Sequence, residues 1–248
     1  WHVAERRGHR DQYIDGLNDV INLLKVKIGN NNMLKITAPR LVKNLREDVD
    51  WMDCISRQED DFTECSFNGL CVEDVSKQNL SVNSCLFTNC GFIACNYRKS
   101  QFSDVVFKNC DLSNINLSGC GFYRVEFIGC KLTGTNFSES IFNHTTIRDC
   151  KGDYVIFSMS KLRNVSFNQC FLRGGGLDNC QFTNVEFEHC NLVEAEFHRT
   201  SLKGIDLTSS EIAGIRIGSI PGGELKGATV TSLQALDIAR MLGITIKD

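Results

Sequence analysis

The sequence predicts a solenoid, because its apolar residues recur every five positions. From residue 82 to residue 217, nearly every position whose number ends in 2 or 7 holds Phe, Leu, Ile, Val or Tyr. A small or β-branched residue stands two positions before most of them, and the other three positions are mostly polar. A period of five matches neither the period of a helix nor that of a strand. A short, fixed period is typical of a solenoid whose coils stack on one another.

Several five-residue units identify the type of repeat. Cys-Gly-Phe-Tyr-Arg at 120–124, Cys-Lys-Leu-Thr-Gly at 130–134 and Ala-Glu-Phe-His-Arg at 195–199 resemble the units of the pentapeptide-repeat family. The resemblance extends over residues 62–217. It implies an all-β fold, a right-handed quadrilateral β-helix with four pentapeptides in each coil. The large central residue of each unit and the small residue two positions before it then point inward.

Residues twenty positions apart should stack in such a fold, and the sequence agrees. One column consists of cysteines alone: Cys90, Cys110, Cys130, Cys150, Cys170 and Cys190. A second column is mostly aromatic: Phe87, Phe107, Phe127, Ile147, Phe167, Phe187 and Leu207. A five-residue period does not by itself require this likeness, so the columns independently favour the square cross-section. We expect the column thiols to be buried and reduced, in a reducing cytoplasm, because unpaired Cys behaves as a small hydrophobe.

Two places depart from the repeat. At residues 72–81 the register falters, since Lys77 stands where an apolar residue is expected. We expect an irregular coil or bulge there, with Leu80 as a substitute for the missing apolar residue. Gly152 is a central position without a side chain, so either Tyr154 fills the gap or the coil is dented.

The segment before the repeats predicts an extension and a cap. Within residues 1–32, apolar residues at helical spacing predict an amphipathic helix that ends at Gly29. Residues 33–61 should form an N-terminal cap, because an open solenoid end exposes apolar side chains and strand edges. The residues expected to cover that end are Leu41, Leu45, Trp51, Met52 and Ile55.

Residues 218–248 predict a C-terminal module. Thr231 or Ser232 can cap the start of a helix that ends at Gly243, and residues 244–246 should form a short strand. The module resembles that of the Qnr-type subfamily, which implies that it dimerises the rod end to end. One apolar stripe of the helix can close the last coil, whereas the other then needs a second copy to cover it. The residues assigned to the dimer interface are Leu233, Ala235, Leu236, Ile238, Ala239 and Leu242.

Carboxylates are concentrated in the last coils, although the formal net charge is only −3. The predicted partner-binding surface consists of Glu126, Asp149, Glu186, Glu188, Glu194, Glu196, Asp206 and Glu211. Five of these should share one side of the rod: Glu126, Asp149, Glu186, Glu188 and Asp206. Another side should be basic, with Arg124, Lys161, Arg163 and Lys203. If the C-terminal modules dimerise, the acidic ends of two rods meet.

No catalytic, cofactor or metal site is expected. His144, His189 and His198 fall on outward positions without a fixed carboxylate or Cys partner, so we interpret them as ordinary surface residues. A straight column of buried cysteines neither activates a thiolate nor surrounds a metal ion with ligands. No run of apolar residues is long enough to span a membrane. The weak net charge does not indicate direct binding to nucleic acid or to a membrane.

Two functions from different classes remain. The resemblance to Qnr-type proteins implies a non-catalytic DNA mimic that binds type II topoisomerases, DNA gyrase or topoisomerase IV, and protects them from quinolone-type poisons. The unbroken register from 82 to 217 leaves no room for the loops of Gram-negative members, so the chain is more similar to the loop-less Gram-positive and mycobacterial types. The alternative is an interaction scaffold for another protein partner, which would contact the outward residues Ile93, Phe171 and Val193.

Overall fold

The computed structural model describes residues 34–218, 223–241 and 243–247. The chain divides into two compact units, Trp1–Lys35 and Ile36–Asp248. In the first unit only Leu34 and Lys35 are described, and neither belongs to a helix or a strand. The amphipathic helix predicted within residues 1–32 lies outside the described residues. The fold described below is that of the second unit.

The repeats form a right-handed, four-sided β-helix, as the sequence predicts. Its strands are β1 Asp61–Thr63, β2 Ser66–Asn68, β3 Cys71–Glu73, β4 Ser81–Thr88, β5 Gly91–Ile93, β6 Gln101–Lys108, β7 Gly121–Ile128, β8 Ile141–Arg148, β9 Lys161–Asn168 and β10 Gln181–Glu188. An eight-stranded sheet has the order β1-β4-β6-β7-β8-β9-β10, with β2 also paired to β4, and β3 pairs with β5. All these pairs are parallel and join residues twenty positions apart, such as Ser81 and Gln101.

Each coil has four sides, which we name by the inward residues at their centres. Face A has Phe62, Val82, Phe102, Phe122, Phe142, Leu162, Phe182 and Leu202. Face B has Phe67, Phe87, Phe107, Phe127, Ile147, Phe167, Phe187 and Leu207. Face C follows with Val72, Phe92, Leu112, Leu132, Gly152, Leu172, Leu192 and Ile212, and face D with Tyr97, Leu117, Phe137, Phe157, Leu177, Phe197 and Ile217. The large sheet forms faces A and B. Face C begins with the β3–β5 pair, and isolated parallel bridges, such as Asp111 with Lys131, connect its later coils and the coils of face D.

The chain turns each corner through a residue in the left-handed backbone region. Asn109 has a φ of 54°, Asn114 of 58° and Gly119 of 67°. Glycine and asparagine adopt this conformation more readily than other residues, which explains why they recur at positions ending in 4 and 9. The corner between faces A and B, which we call the A–B corner, consists of Glu64, Ser84, Asp104, Arg124, His144, Asn164, Asn184 and Gly204.

Columns of phenylalanine fill the interior. On face B, the rings of Phe87 and Phe107 stack with their centroids 4.9 Å apart, and those of Phe107 and Phe127 stack at 5.1 Å. Rings on neighbouring faces meet edge to face, as Phe122 and Phe137 do at 5.5 Å. Both arrangements are favoured geometries for aromatic pairs. The rings therefore add directional contacts to the apolar burial along the rod.

All thirteen cysteines are free thiols, and all except Cys71 are buried. The thiols of the cysteine column donate to carbonyl oxygens, as Cys130 Sγ does to Phe107 O at 3.4 Å. Two other buried cysteines, Cys120 and Cys180, lie outside this column, and burial raises the pKa of their thiols to about 12. Such thiols stay protonated at neutral pH and are poor nucleophiles. The prediction of buried, unpaired thiols in the column is confirmed.

The irregular coil predicted at residues 72–81 is wrong, because the register continues there without a bulge. Ser76 forms a parallel bridge with the residue twenty positions further along, as in every later coil. Lys77 leaves the interior, and its Nζ lies 2.5 Å from Asp60 Oδ1. Leu80 is only 1% exposed and supplies apolar packing in its place.

Leu172 occupies the space beside Gly152. A Cβ atom at Gly152 would lie 3.2 Å from Leu172 Cδ2, so the neighbouring coil already fills the position of the missing side chain. Tyr154 points outward and is 60% exposed, so the expectation that it fills the gap is wrong. The backbone hydrogen bonds between successive coils also continue at this position, since the Gly152 N–H donates to Phe171 O at 2.7 Å.

Helix α1, Trp51–Ser56, closes the N-terminal end of the rod. Asp50 caps the helix, because its carboxylate accepts a backbone N–H of the first turn at 3.0 Å. Trp51 is 2% exposed, and its ring stacks on Phe62 with a centroid distance of 4.1 Å. Met52 is 43% exposed, so the prediction that it covers the open end is wrong.

Helix α2, Ser232–Met241, is attached to the last coil through its N-terminal cap. Thr231 Oγ1 accepts the Gln234 N–H at 3.2 Å, and Gln234 Oε1 accepts the Thr231 N–H at 2.8 Å, which is a reciprocal capping box. The Gln234 side-chain amide also donates to Leu207 O at 2.9 Å and Ser210 O at 2.7 Å. One side chain therefore caps the helix and satisfies carbonyl groups at the end of the solenoid.

A final backbone layer lies between the last coil and α2. The Leu207 N–H donates to Thr229 O at 2.9 Å, and the Gly204 N–H donates to Gly227 O at 2.8 Å. These bonds cover the edge that the last coil would otherwise expose. Residues 244–246, predicted as a strand, have no strand conformation. A strand requires a paired neighbour, and none pairs with these residues in the part of the chain that the structure describes.

The buried face-B column predicts a large cost for truncating one of its rings. We expect Phe127→Ala to lower the free energy of unfolding by about 3–5 kcal/mol, from lost burial plus the cavity left behind. Phe171→Ala is the matched control, because Phe127 is 0% and Phe171 53% exposed. Chemical unfolding measures both variants. Equal losses for the two would contradict the inward placement of face B.

Candidate partner-binding site

An extended segment, residues 36–46, runs along the A–B corner, and we call it the strap. Three of its backbone N–H groups donate to corner side chains: Thr37 to His144 Nδ1 at 3.2 Å, Arg40 to Asp104 Oδ1 at 2.8 Å and Val42 to Ser84 Oγ at 3.2 Å. Later strap residues contact earlier coils, so the strap runs opposite to the direction of coiling. It ends where Arg46 forms a parallel bridge with Cys65.

Asp104 is central to this attachment. Arg124, one coil further along, forms a bidentate ion pair with the Asp104 carboxylate. The two side chains are only 15% and 10% exposed, respectively. Burial alone would raise the pKa of Asp104, but the hydrogen bonds from Arg124 and from the Arg40 N–H outweigh it and hold this pKa below its usual value. Asp104 is therefore ionised at neutral pH and can accept both donors.

The strap was not predicted from the sequence. Leu41 and Leu45, expected over the open end, belong to the strap and are half-buried along the side of the rod. His144, interpreted as an ordinary surface residue, accepts a backbone hydrogen bond. The available signal was the A–B corner itself, where Ser84, Asp104 and His144 replace the Asn and Gly that are common at corners.

The eight predicted partner-binding carboxylates lie on three faces. Face B carries Glu126, Asp149, Glu186, Glu188 and Asp206, face C carries Glu194 and Glu211, and face D carries Glu196. Glu194 forms an ion pair with Arg173 at 3.2 Å, and Glu196 forms one with Arg216 at 2.7 Å. These two carboxylates are partly neutralised by their own coils, so they contribute less to an acidic surface than the carboxylates of face B.

Face B is polarised along the rod. Its middle coils carry Lys108 and Arg148 together with Glu126 and Asp149, and Arg148 lies 3.8 Å from Asp149. From residue 161 onward, its outward charged residues are Glu186, Glu188 and Asp206, with no Lys or Arg on that face through Ser209. We call these three residues the acidic patch.

Two carboxylates of the acidic patch are exposed and hydrogen-bonded, and the third, that of Glu186, is half-buried. Glu188 Oε2 accepts a hydrogen bond from Asn168 Nδ2 at 2.8 Å. Asp206 Oδ1 accepts the N–H and the hydroxyl of Thr208 at 2.9 and 2.7 Å. Partial burial raises the pKa of Glu186, and the charge of Glu188 raises it further, against a hydrogen bond from Ser166. Burial has the larger effect on the pKa of Glu186, because it disfavours the charged carboxylate, and the nearby like charge acts in the same direction.

Helix α2 leaves part of its apolar surface open. Leu233 is 75% exposed and Leu236 is 39% exposed. On the other stripe, Ile238 packs against the core of the rod and Ala239 is half-buried, while Ala235 is exposed. Leu242, the sixth residue assigned to the dimer interface, lies outside the described residues.

Neither a metal-binding cluster nor a membrane-spanning helix occurs in residues 34–218, 223–241 and 243–247. No group of three or more His, Cys, Asp or Glu residues there is arranged to hold a metal ion. No helix within the same ranges is long and apolar enough to cross a membrane.

Parallel coils of twenty residues, inward phenylalanine columns and left-handed corners define a four-sided β-solenoid. The chain contains a pentapeptide-repeat region. The family model of the pentapeptide repeat region matches residues 120–197, and the model of pentapeptide repeats in eight copies matches residues 85–122 and 100–138. Neither model describes an enzyme family. No curated protein matches the chain in sequence.

Solved structures with a similar fold include QnrB1, described as a plasmid-mediated fluoroquinolone resistance protein. A trypsin-treated form of QnrB1 is 21% identical, with a TM-score of 0.45, over 76% of this chain and 99% of that chain. HetL, a pentapeptide-repeat protein of Nostoc sp. strain PCC 7120 described as involved in heterocyst differentiation regulation, is 12% identical, with a TM-score of 0.32, over 74% of this chain and 94% of that chain.

The attachment of the strap predicts a specific effect of Asp104→Asn. We expect the free energy of unfolding to fall by about 1–3 kcal/mol, because hydrogen bonds to a charged acceptor are lost. The amides of Thr37, Arg40 and Val42 should exchange with solvent faster. Because the pKa of Asp104 is depressed in the fold, its contribution is present above the usual aspartate pKa of about 3.9 and is lost as the pH falls through the lower folded pKa.

Asp149→Asn is the matched control for this experiment. Asp149 also occupies a left-handed corner, with a φ of 56°, but this corner lies between faces B and C, away from the A–B corner. Hydrogen exchange and urea unfolding, measured from neutral to acidic pH, test both variants. Unchanged exchange in the strap of Asp104→Asn would contradict the proposed attachment.

Proposed function

We propose that this protein is a non-catalytic DNA mimic that binds a type II topoisomerase, DNA gyrase or topoisomerase IV, and protects it from quinolone-type poisons. The observation that carries the proposal is the acidic patch, three carboxylates on one face of the solenoid without an intervening cation. The choice of a topoisomerase as partner comes from the resemblance of the C-terminal module to Qnr-type proteins. The proposed site of action is a reducing cytoplasm, which suits the free thiols.

Electrostatic complementarity supports this proposal. A surface that binds DNA presents cations spaced to meet phosphates, and carboxylates on a rigid face can meet the same cations. Glu186 and Glu188 lie on the last strand of the parallel sheet, and Asp206 is held one coil further along by a backbone bridge with Thr229. Glu211, at the start of face C in the last coil, adds a further exposed carboxylate near the same end of the rod.

A homodimer formed through α2 would extend this surface. The acidic patch lies in the coils next to α2, so a two-fold axis at α2 would bring two patches near each other. Leu233 and Leu236 are the exposed apolar residues that such an interface would cover. A closed two-fold contact requires a self-complementary surface, and a helix with one uncovered apolar stripe can provide it.

The second candidate function is an interaction scaffold that uses face C. Phe171 and Ile93 are each 53% exposed on this face, and Val193 is half-buried. Exposed aromatic residues are enriched at protein interfaces. This candidate predicts that face C substitutions abolish partner binding and that changes in the acidic patch do not.

Gyrase supercoiling with and without ciprofloxacin tests the first function. We expect the protein to preserve supercoiling in the presence of the drug, and Glu188→Lys combined with Asp206→Lys to raise the concentration required by at least about tenfold, because charge reversal opposes a basic partner surface. Position 188 tolerates a cation, since Lys108 and Arg148 occupy the same column.

The matched control makes the same charge change away from face B, with Glu73→Lys combined with Glu139→Lys. The columns of these residues already hold Arg173 and Lys99, respectively. Equal loss in both double variants would show that only total charge matters and would refute the acidic patch as the contact. Absence of protection by the unaltered protein would refute the function.

Sedimentation tests the dimer separately. We expect a dimer at micromolar concentration, and a monomer for Leu233→Glu combined with Leu236→Glu, because charges in an apolar interface are costly to bury. Phe171→Glu combined with Ile93→Glu is the control, since it places the same two charges on other exposed apolar sites and should leave the dimer intact. A monomeric unaltered protein would contradict the interface.

A further inference from the structure

The strap shows how this rod binds an extended polypeptide. The strap N–H groups of Thr37 and Val42 meet corner residues His144 and Ser84, which are three coils apart. Five residues of extended chain span about 16 Å, and three coils span about 14 Å. The strap is therefore almost fully extended, and three of the four corner residues that it passes accept one of its N–H groups.

The same corner continues beyond the strap. Asn164 and Asn184 both have a φ of 53°, so their side chains leave the corner from the same backbone conformation as Asp104. Asn184 Nδ2 donates to Asn164 Oδ1 at 2.9 Å, which fixes the orientation of both amides. This leaves the Asn184 carbonyl oxygen as an acceptor at the surface, and Asn184 is exposed.

Face A beside this part of the corner is basic. Lys161, Arg163 and Lys203 are exposed on it, and none of them takes part in an ion pair among the described residues. The other outward residues of face A from residue 161 to residue 204 are uncharged: Asn164, Gln181, Thr183, Asn184, Ser201 and Gly204. We call Lys161, Arg163, Lys203 and the corner residues Asn164 and Asn184 the basic track.

We propose that the basic track binds an extended, acidic peptide segment of a partner protein. The Asn184 carbonyl accepts a peptide N–H, as Asp104 and Ser84 do from the strap. Arg163 and the two lysines pair with carboxylates on one edge of the peptide, and an arginine can hold a carboxylate through two parallel hydrogen bonds. This contact lies on a different face from the acidic patch and does not depend on topoisomerase binding.

The charges next to the track favour a peptide over a nucleic acid. Glu186 and Asp206 lie on face B, just beyond the A–B corner. A phosphodiester chain carries a charge on every unit and would be repelled by these carboxylates. Side chains of an extended peptide alternate between its two edges. All its acidic side chains can therefore face the cations of face A, while neutral residues lie beside face B.

Fluorescence anisotropy with a fluorescein-labelled decapeptide of alternating glutamate and serine tests the proposal. We expect saturable binding at low ionic strength that weakens as salt is added. Arg163→Glu combined with Lys203→Glu should weaken binding by at least about tenfold. The matched control, Lys108→Glu combined with Arg148→Glu, makes the same charge change on face B and should bind as the unaltered protein does. Thermal unfolding verifies that both variants are folded.

Three results would overturn the basic track. One is no binding of the decapeptide by the unaltered protein, and another is equal weakening by the two double variants. The third is that a short DNA duplex binds more tightly than the decapeptide and that Arg163→Glu combined with Lys203→Glu abolishes this binding. That result would identify a nucleic-acid surface. Protection of gyrase should be unchanged in the same variant, so this test is independent of the acidic patch.

Discussion

Backbone hydrogen bonds between residues of successive coils are the interaction on which the rest of this structure depends. They run along the rod, so each side chain is assigned to a fixed column that points either inward or outward. The side chains of an inward column must pack against those of the neighbouring coils. The stacked rings of Phe107 and Phe127 are one such arrangement. Gly152 is tolerated because Leu172 from the next coil occupies its space. Packing is thus shared between coils, and the register is kept by the backbone.

Most of the fold could be predicted, because each inward residue repeats a local rule many times. The columns that contain Phe127 and Cys130 follow from the five- and twenty-residue periods alone. Lys77 misled the prediction, since it breaks the apolar pattern while the backbone ladder continues past it. The sequence specifies only the side chain at each position. The register between coils is maintained by backbone groups, which are the same at every position, so one unusual side chain does not change it.

The strap and much of the candidate site could not be predicted for a related reason. Thr37 and His144 are 107 positions apart, and the contact uses a backbone N–H that no sequence pattern marks. Face membership of Glu186, Glu188 and Asp206 followed from the repeat, whereas pairing of Glu194 with Arg173 did not. Ion pairs between neighbouring coils depend on side-chain direction, so counting carboxylates overestimates the acidic surface that remains.

The two ends of the rod are stabilised by different contacts, and this difference bears on where partners can bind. A solenoid gains stability mainly from nearest-neighbour contacts, so its terminal coils are prone to open. At the N-terminal end, the strap joins the coils of Ser84, Asp104 and His144 to one segment and covers their shared corner. At the other end, the Gln234 side-chain amide donates to carbonyl groups at the end of the last coil and leaves the faces of that coil uncovered. The C-terminal coils therefore combine a fixed backbone with uncovered faces of opposite charge, which are the conditions that a rigid binding surface requires.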